Sequence, residues 1–309
     1  MSELILHHYD SSPFAEKVRL VLGFKGLAWH SVTIPMVLPK PDVVALTGGY
    51  RRTPILQIGA DVYCDTALVC RVLDRVAPEP PLYPASGGGH QHLVAQWADS
   101  ALFWTAAPYT LQPAGAAFMF GGLPPAVTQG FLNDRAAMTA GLRRATPVDA
   151  RAQLDTYFGW LESSLADGRP FLLGDAPCIA DFSTAHSVWF LRRVPPVADV
   201  LEPFAKLRAW SDRVSAFGHG SPTPLSSDDA LGIAARSASH APAKVEPGRG
   251  FEAGAAVTVS AFDYATDPIN GTLVGLTSEE VVVERRDERA GTVHVHFPRI
   301  GYQVKKADA

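Results

Sequence analysis

The stretch from Arg51 to Thr66, Arg-Arg-Thr-Pro-Ile-Leu-Gln-Ile-Gly-Ala-Asp-Val-Tyr-Cys-Asp-Thr, decides the architecture of the first part of this chain. Ile55–Ile58 and Val62–Cys64 are short apolar runs flanking Gly59-Ala60-Asp61, a hairpin signal. Asp65 then stands at an N-cap position ahead of Leu68, Val69, Val72, Leu73 and Val76, which recur at helical spacing. Toward the N-terminus, Leu4-Ile5-Leu6 predicts a strand and Asp10-Ser11-Ser12 a turn. Phe14, Val18, Val21 and Leu22 predict a helix closed by Gly26, and His30–Ile34 a second strand before a Pro-rich loop at 35–41. The order β-α-β, β-β-α predicts an α/β layer domain over residues 1–80.

The rest of the chain changes character twice. Ala77–Gly89 holds four prolines and three glycines, so neither helix nor strand is expected to cross it. Residues 90–236 read as all helical, with one stripe at Leu154, Tyr157, Phe158, Leu161 and Leu165 and another at Phe204, Leu207, Trp210, Val214 and Phe217. A polar segment from Ser237 to Gly250 precedes residues 251–309, where the period becomes two: Val257 and Val259, Val281 and Val283, Val293 and Val295. Asn270-Gly271 and Arg286–Gly291 are read as turns, giving a small antiparallel β barrel or sandwich.

At 309 residues, 47% of them hydrophobic, the chain can build more than one core, which excludes a largely disordered protein. A net charge of −4 gives no basic footprint, so neither nucleic acid nor a membrane is an expected partner. Glu3, His7, His8 and Asp10 stand where a signal peptide needs an apolar core. The three cysteines, Cys64, Cys70 and Cys178, make no disulfide framework, and a cytoplasmic location is expected.

Three short features suggest chemistry, and each also has a purely structural reading. Ser12 precedes a helix opened by Pro13, where a cap hydroxyl and backbone N–H groups meet; it is a simple N-cap or part of an anion site. Thr53-Pro54 enters a strand, and a cis bond there would turn the Thr53 backbone toward a peptide-like ligand. Arg51 and Arg52 before it are a solvated pair or ligand anchors. Asp65-Thr66 caps a helix or receives the charged end of a ligand.

Taken together, Ser12, Thr53-Pro54 and Asp65-Thr66 resemble the glutathione site of glutathione S-transferases in order and spacing. The segment SPFAEKVRLVL is similar to the tau and omega classes, and Lys25-Gly26-Leu27 continues the likeness. Gly174–Asp181 resembles the family's capping box, with Cys178 where a hydroxyl is usual. The resemblance spans residues 4 to 236. It implies a thioredoxin-like glutathione-binding domain (1–80), an all-helical transferase domain carrying the co-substrate site (90–236), and an added β domain (251–309). That added domain would cover the site, mediate dimerisation or bind another partner.

The same resemblance implies residue roles. Ser12, with Ser11 as the alternate, would donate its hydroxyl to the sulfur of glutathione, the co-substrate. One charge-assisted hydrogen bond is worth about 1.5–3 kcal/mol, or about one to two units of thiol pKa. Thr53 and Pro54 would present the backbone to the cysteinyl unit. Arg52, or Arg51, would take the glycyl carboxylate, and Asp65 and Thr66 the γ-glutamyl end. A small apolar electrophile would lie among Trp97, Phe103, Trp104 and Tyr109, unless that cluster is core or a subunit contact. With serine at position 12, conjugation, isomerisation or displacement is expected over thiol transfer through a mixed disulfide.

The expectation is therefore a homodimeric, detoxifying glutathione transferase. The alternatives are a non-catalytic ligand-binding protein of the same fold, or a glutathione-dependent etherase, dehalogenase or isomerase. His294 and His296 share one face of a predicted strand, but the sequence names no further ligands, so no metal is assigned.

Overall fold

The computed structural model describes residues 3–307. Its centre is β1 (Ile5–His8), paired in parallel with β2 (Ala28–Thr33) and antiparallel with β3 (Ile55–Ile58). Ile5 and Leu6 are wholly buried, as an apolar run covered on both faces requires. The predicted hairpin joins β3 to β4 (Asp61–Cys64), with Ile58 opposite Asp61.

Between β1 and β2 runs α1 (Pro13–Phe24), and α3 (Thr66–Val76) follows β4. A short helix, α2 (Pro41–Thr47), which the sequence pattern does not announce, starts on the last residue of the Pro-rich loop at 35–41. Pro41 is preorganised for its first position, and Gly48 at φ +83° ends it in the left-handed conformation. Val18, Val21 and Leu22 on α1 are no more than 1% exposed, each worth about 1.5–3 kcal/mol of burial.

The helical part begins with α4 (His90–Trp97), which passes through a π turn at Ala98–Leu102 into α5 (Phe103–Thr110). α6 (Pro113–Phe120), α7 (Pro125–Met138), α8 (Pro147–Ser164), α9 (Ile179–Arg192) and α10 (Ala205–Ser215) follow. The two predicted stripes bury Leu154, Phe158, Leu207, Trp210 and Val214. At the head of α9 the Asp181 carboxylate accepts from the backbone N–H groups of Cys178 and Leu172 and from the Trp210 indole. The thiol at Cys178 therefore costs the cap little, because Asp181 holds the turn from the other side.

Residues 90–236 are not wholly helical. β5 (Ser221–Pro224) pairs in parallel with β2 at the sheet edge, where Pro222 and Pro224 are tolerated. Its approach uses Gly220 at φ +67°, whose absent Cβ would lie 2.4 Å from the Leu27 carbonyl. α11 (Ser227–Arg236) then crosses to the opposite face from α1 and α3.

The C-terminal strands are antiparallel as predicted: β6 (Ala256–Ala261), β7 (Ile269–Leu276), β8 (Glu280–Asp287), β9 (Gly291–Pro298) and β10 (Tyr302–Lys306). They continue the first sheet, because β9 pairs in parallel with β4, giving the ten-strand order β10-β6-β7-β8-β9-β4-β3-β1-β2-β5. Asn270-Gly271 lies inside β7 instead of at a turn; the bare Gly271 lets the Glu284 carbonyl approach to 2.7 Å of where a Cβ would be. One core contains Ile5, Val62, Val293, Val295 and α11 together, so these strands share their interior with the first sheet.

Candidate functional site

The turn after β1 delivers Ser12 as the N-cap of α1, in extended conformation, with Pro13 at the first helical position. Ser12 Oγ accepts from the Ala15 N–H at 3.2 Å, which leaves its own proton free to be donated. Ser12 is 2% exposed, while Ser11 donates to the Met36 sulfur at 3.5 Å. Both serines line an apolar cavity of about 290 Å³, together with Phe103, Trp104, Phe120 and Phe131.

A second cavity, of about 300 Å³, is lined by Arg52, Thr53, Pro54, Asp65 and Thr66. The Thr53–Pro54 bond is cis. Asp65 has φ +73°, a conformation that costs a non-glycine residue about 1–3 kcal/mol and persists only where its surroundings enforce it. Its Oδ1 accepts from the Ala67 N–H at 2.9 Å, and Thr66 opens α3 with its hydroxyl toward Lys17. Phe14, Arg52, Thr53 and Tyr264 border both cavities. The structure thus groups the predicted binding residues in one space and the two serines in the other, joined at Thr53.

An ionic cluster lines the second cavity, with Lys17 fully buried and Asp99 partly so. Lys17 Nζ is fully buried, 2.6 Å from Asp99 Oδ2 and 3.3 Å from Thr66 Oγ1. Asp99 sits in the π turn between α4 and α5, and also meets His186 Nε2 at 3.0 Å and Ser183 Oγ at 3.2 Å. Burial opposes both charges, but the pair wins: Lys17 is held above its ordinary range and Asp99 below its own. Burial lowers His186, which therefore faces the carboxylate as a neutral ring.

The C-terminal strands wall the same space. Arg52 donates to the Asp263 carboxylate and the Tyr264 carbonyl, and its guanidinium lies 3.7 Å from the centre of the Tyr264 ring. Tyr302 donates to Asp65 Oδ2 at 3.2 Å. Arg51 pairs with Asp134 at 2.7 Å. Neither arginine is a free solvated charge. Phe103 and Trp104 face the apolar cavity, whereas Trp97 packs edge-on against Tyr157 and Tyr109 is buried in the helical core.

Family models describing the N-terminal and C-terminal domains of glutathione S-transferase match residues 6–81 and 110–213. A solved GST-like protein from Pseudomonas syringae is 44% identical, aligns over 99% of this chain and 100% of its own, and superposes with a TM-score of 0.82. The chain belongs to the glutathione S-transferase family. A glutathione S-transferase from Rhodospirillum rubrum shares the fold at 20% identity and a TM-score of 0.54, over 69% of this chain and 88% of that one. The Drosophila melanogaster protein pyrimidodiazepine synthase is 36% identical over 85 residues, 26% of this chain and about a third of that protein, 35%. Near-complete alignment with the Pseudomonas protein extends the likeness through the added strands.

Within this transferase fold, three contributors escaped the sequence reading. Lys40 is 4% exposed and reaches the Thr53 hydroxyl at 3.3 Å and the Arg51 carbonyl at 3.5 Å, holding the loop before Pro54. Burial and the neighbouring Arg135 bring its ammonium down to about 8. The Lys17–Asp99 pair and the Asp263–Tyr264 wall are the other two, and both depend on contacts distant in sequence. All three cysteines are buried, and burial pushes Cys70 and Cys178 up to about 12 and Cys64 well above its ordinary value. A thiol so held is a poor nucleophile.

Proposed function

We propose that this protein binds glutathione across the two cavities and presents its thiolate to a small apolar electrophile. The observation that carries this reading is the shared wall at Thr53: a tripeptide reaching from Asp65 and Thr66 past Thr53 brings its sulfur to the Ser12 hydroxyl. The thiol's proton is released to bulk water, and Ser12 donates a hydrogen bond to the thiolate that remains. The sulfur then forms a bond to an electrophilic carbon, and the leaving group departs with the electron pair of the bond that breaks. The apolar lining by Phe103, Trp104, Phe120 and Phe131 suits a hydrophobic acceptor and keeps water from the sulfur. High thiol pKa values at the three cysteines support conjugation or displacement over exchange through an enzyme disulfide.

One observation favours a second reading, a ligand-binding protein that keeps the fold without catalysis. Asp263 already neutralises Arg52, the expected partner of the glycyl carboxylate, and Tyr264 stands between the cavities. Calorimetric titration with glutathione, followed by a panel of aryl and alkyl electrophiles, separates the readings. Stoichiometric binding with turnover supports the transferase. Binding of apolar compounds without heat from glutathione overturns it.

A further inference from the structure

A second cluster lies at the other end of β4, roughly 13 Å from Asp65 at a strand rise of about 3.3 Å per residue. Asp61 on β4, His294 on β9 and Glu284 on β8 are neighbours across three paired strands and so share one face. The segment after α11 runs past the Gly59 turn, where Ser237 sits against the glycine, and brings in His240. The His240 and His294 rings stack with centroids 3.6 Å apart. Their Nδ1 atoms are both buried and hydrogen bond to nothing among the described residues. They stand 3.7 Å and 3.9 Å from Asp61 Oδ1, too far for a hydrogen bond to satisfy either. His294 is 9% exposed.

Two unsatisfied imidazole nitrogens converging on one carboxylate oxygen is the arrangement a cation would complete, and we propose that Asp61, His240 and His294 bind a divalent transition-metal ion of the zinc type. Their candidate ligand atoms lie within 4.8 Å of one another. Zinc bonds of about 2.0–2.2 Å place tetrahedral ligands roughly 3.3 Å apart, so each imidazole nitrogen must approach Asp61 Oδ1 by about half an ångström. The stacked rings must splay to aim both lone pairs at one point. His240, on a loop and the more exposed of the pair, is the ring that swings. Water takes the fourth place.

The surroundings are built to hold these ligands. Glu284 lies 3.5 Å from His294 Nε2, the carboxylate–imidazole pairing that orients metal-bound histidine. The Ala241 N–H fixes Asp61 Oδ2 at 2.8 Å, and His296 donates to Asp61 Oδ1 at 2.9 Å. The donor set of two imidazoles and a carboxylate suits zinc, cobalt, nickel or copper and is a poor match for magnesium or calcium. Because the ligands come from the first sheet, the connecting segment and an added strand, the ion acts as a staple between them.

The test uses the full chain stripped with EDTA, then titrated with Zn²⁺ or Co²⁺. One ion retained per chain after gel filtration, and a melting temperature raised by about 5 °C at a hundredfold excess over the dissociation constant, are expected. His240→Ala and His294→Ala should each abolish retention and the rise, while His90→Ala, at an exposed position elsewhere, keeps both. His240→Ala changes a partly exposed loop residue, and its metal-free melting curve shows whether it is folded. No retained ion in the parent chain overturns the proposal. So does full retention by folded His240→Ala.

Discussion

Asp263 is the residue on which the use of the site turns. Its carboxylate occupies Arg52, so an incoming carboxylate must displace it or bind beside it. Asp263 is 44% exposed, a setting in which ion pairs contribute little, and displacement is within reach of a charged ligand. Asp263→Asn should therefore tighten glutathione binding by about two- to fivefold in calorimetry; weaker binding would mean that Asp263 helps to build the site. Ser12 differs in being legible from its neighbours alone. A hydroxyl before Pro13 is a local signal, and the observed cap bears it out. The engagement of Arg52 was not legible, because its partner lies 211 residues away.

Among elements, the π turn at Ala98–Leu102 is what aims Asp99 at Lys17 and couples the helical part to α1 and α3. Removing one member of a buried ion pair leaves the other charge uncompensated. Asp99→Leu should cost about 3–5 kcal/mol in urea unfolding, and Lys17→Met added to it should recover a large part. Equal destabilisation by the double variant would show that packing, not charge, governs this contact. The strand β1 carries a different sensitivity. Burial holds both His7 and His8 down to about 4, with Arg19 adding to the effect on His8. The unfolded chain takes up protons near 6.5 that the folded chain refuses, so stability is fully present above that pH and falls as the pH drops toward 4. Between pH 7 and 5 each histidine should remove about 2 kcal/mol, seen as a lower urea midpoint. A midpoint constant over that range would contradict the buried neutral state.

At the scale of the whole molecule, the added strands are an extension of the first sheet and a wall of its cleft. The period-two pattern of Val281, Val283, Val293 and Val295 announces strands, and the Arg286–Gly291 turn places β8 and β9, whereas Asn270-Gly271 falls inside β7. What alternation leaves open is which edge a strand meets. Val62 beside Val295 is a pairing between residues more than two hundred positions apart, with nothing local to declare it. β5 was hidden for a related reason: its two prolines argue against a strand unless an edge is available, and only the folded sheet supplies that edge. The cavity residues follow the same division. Capping and turn positions near Ser12, Pro54 and Asp65 carry their signals in adjacent residues, whereas Lys40, Asp99 and Tyr264 reach the cleft through tertiary contacts.

The central proposal is that Ser12 stabilises a glutathione thiolate. A pH titration of ultraviolet thiolate absorbance, on glutathione bound to the parent chain and to Ser12→Ala, tests it most directly. The parent complex should ionise about one to two units below the free thiol value of about 8.5, and the variant should return toward that value. Identical midpoints for the two proteins would contradict it.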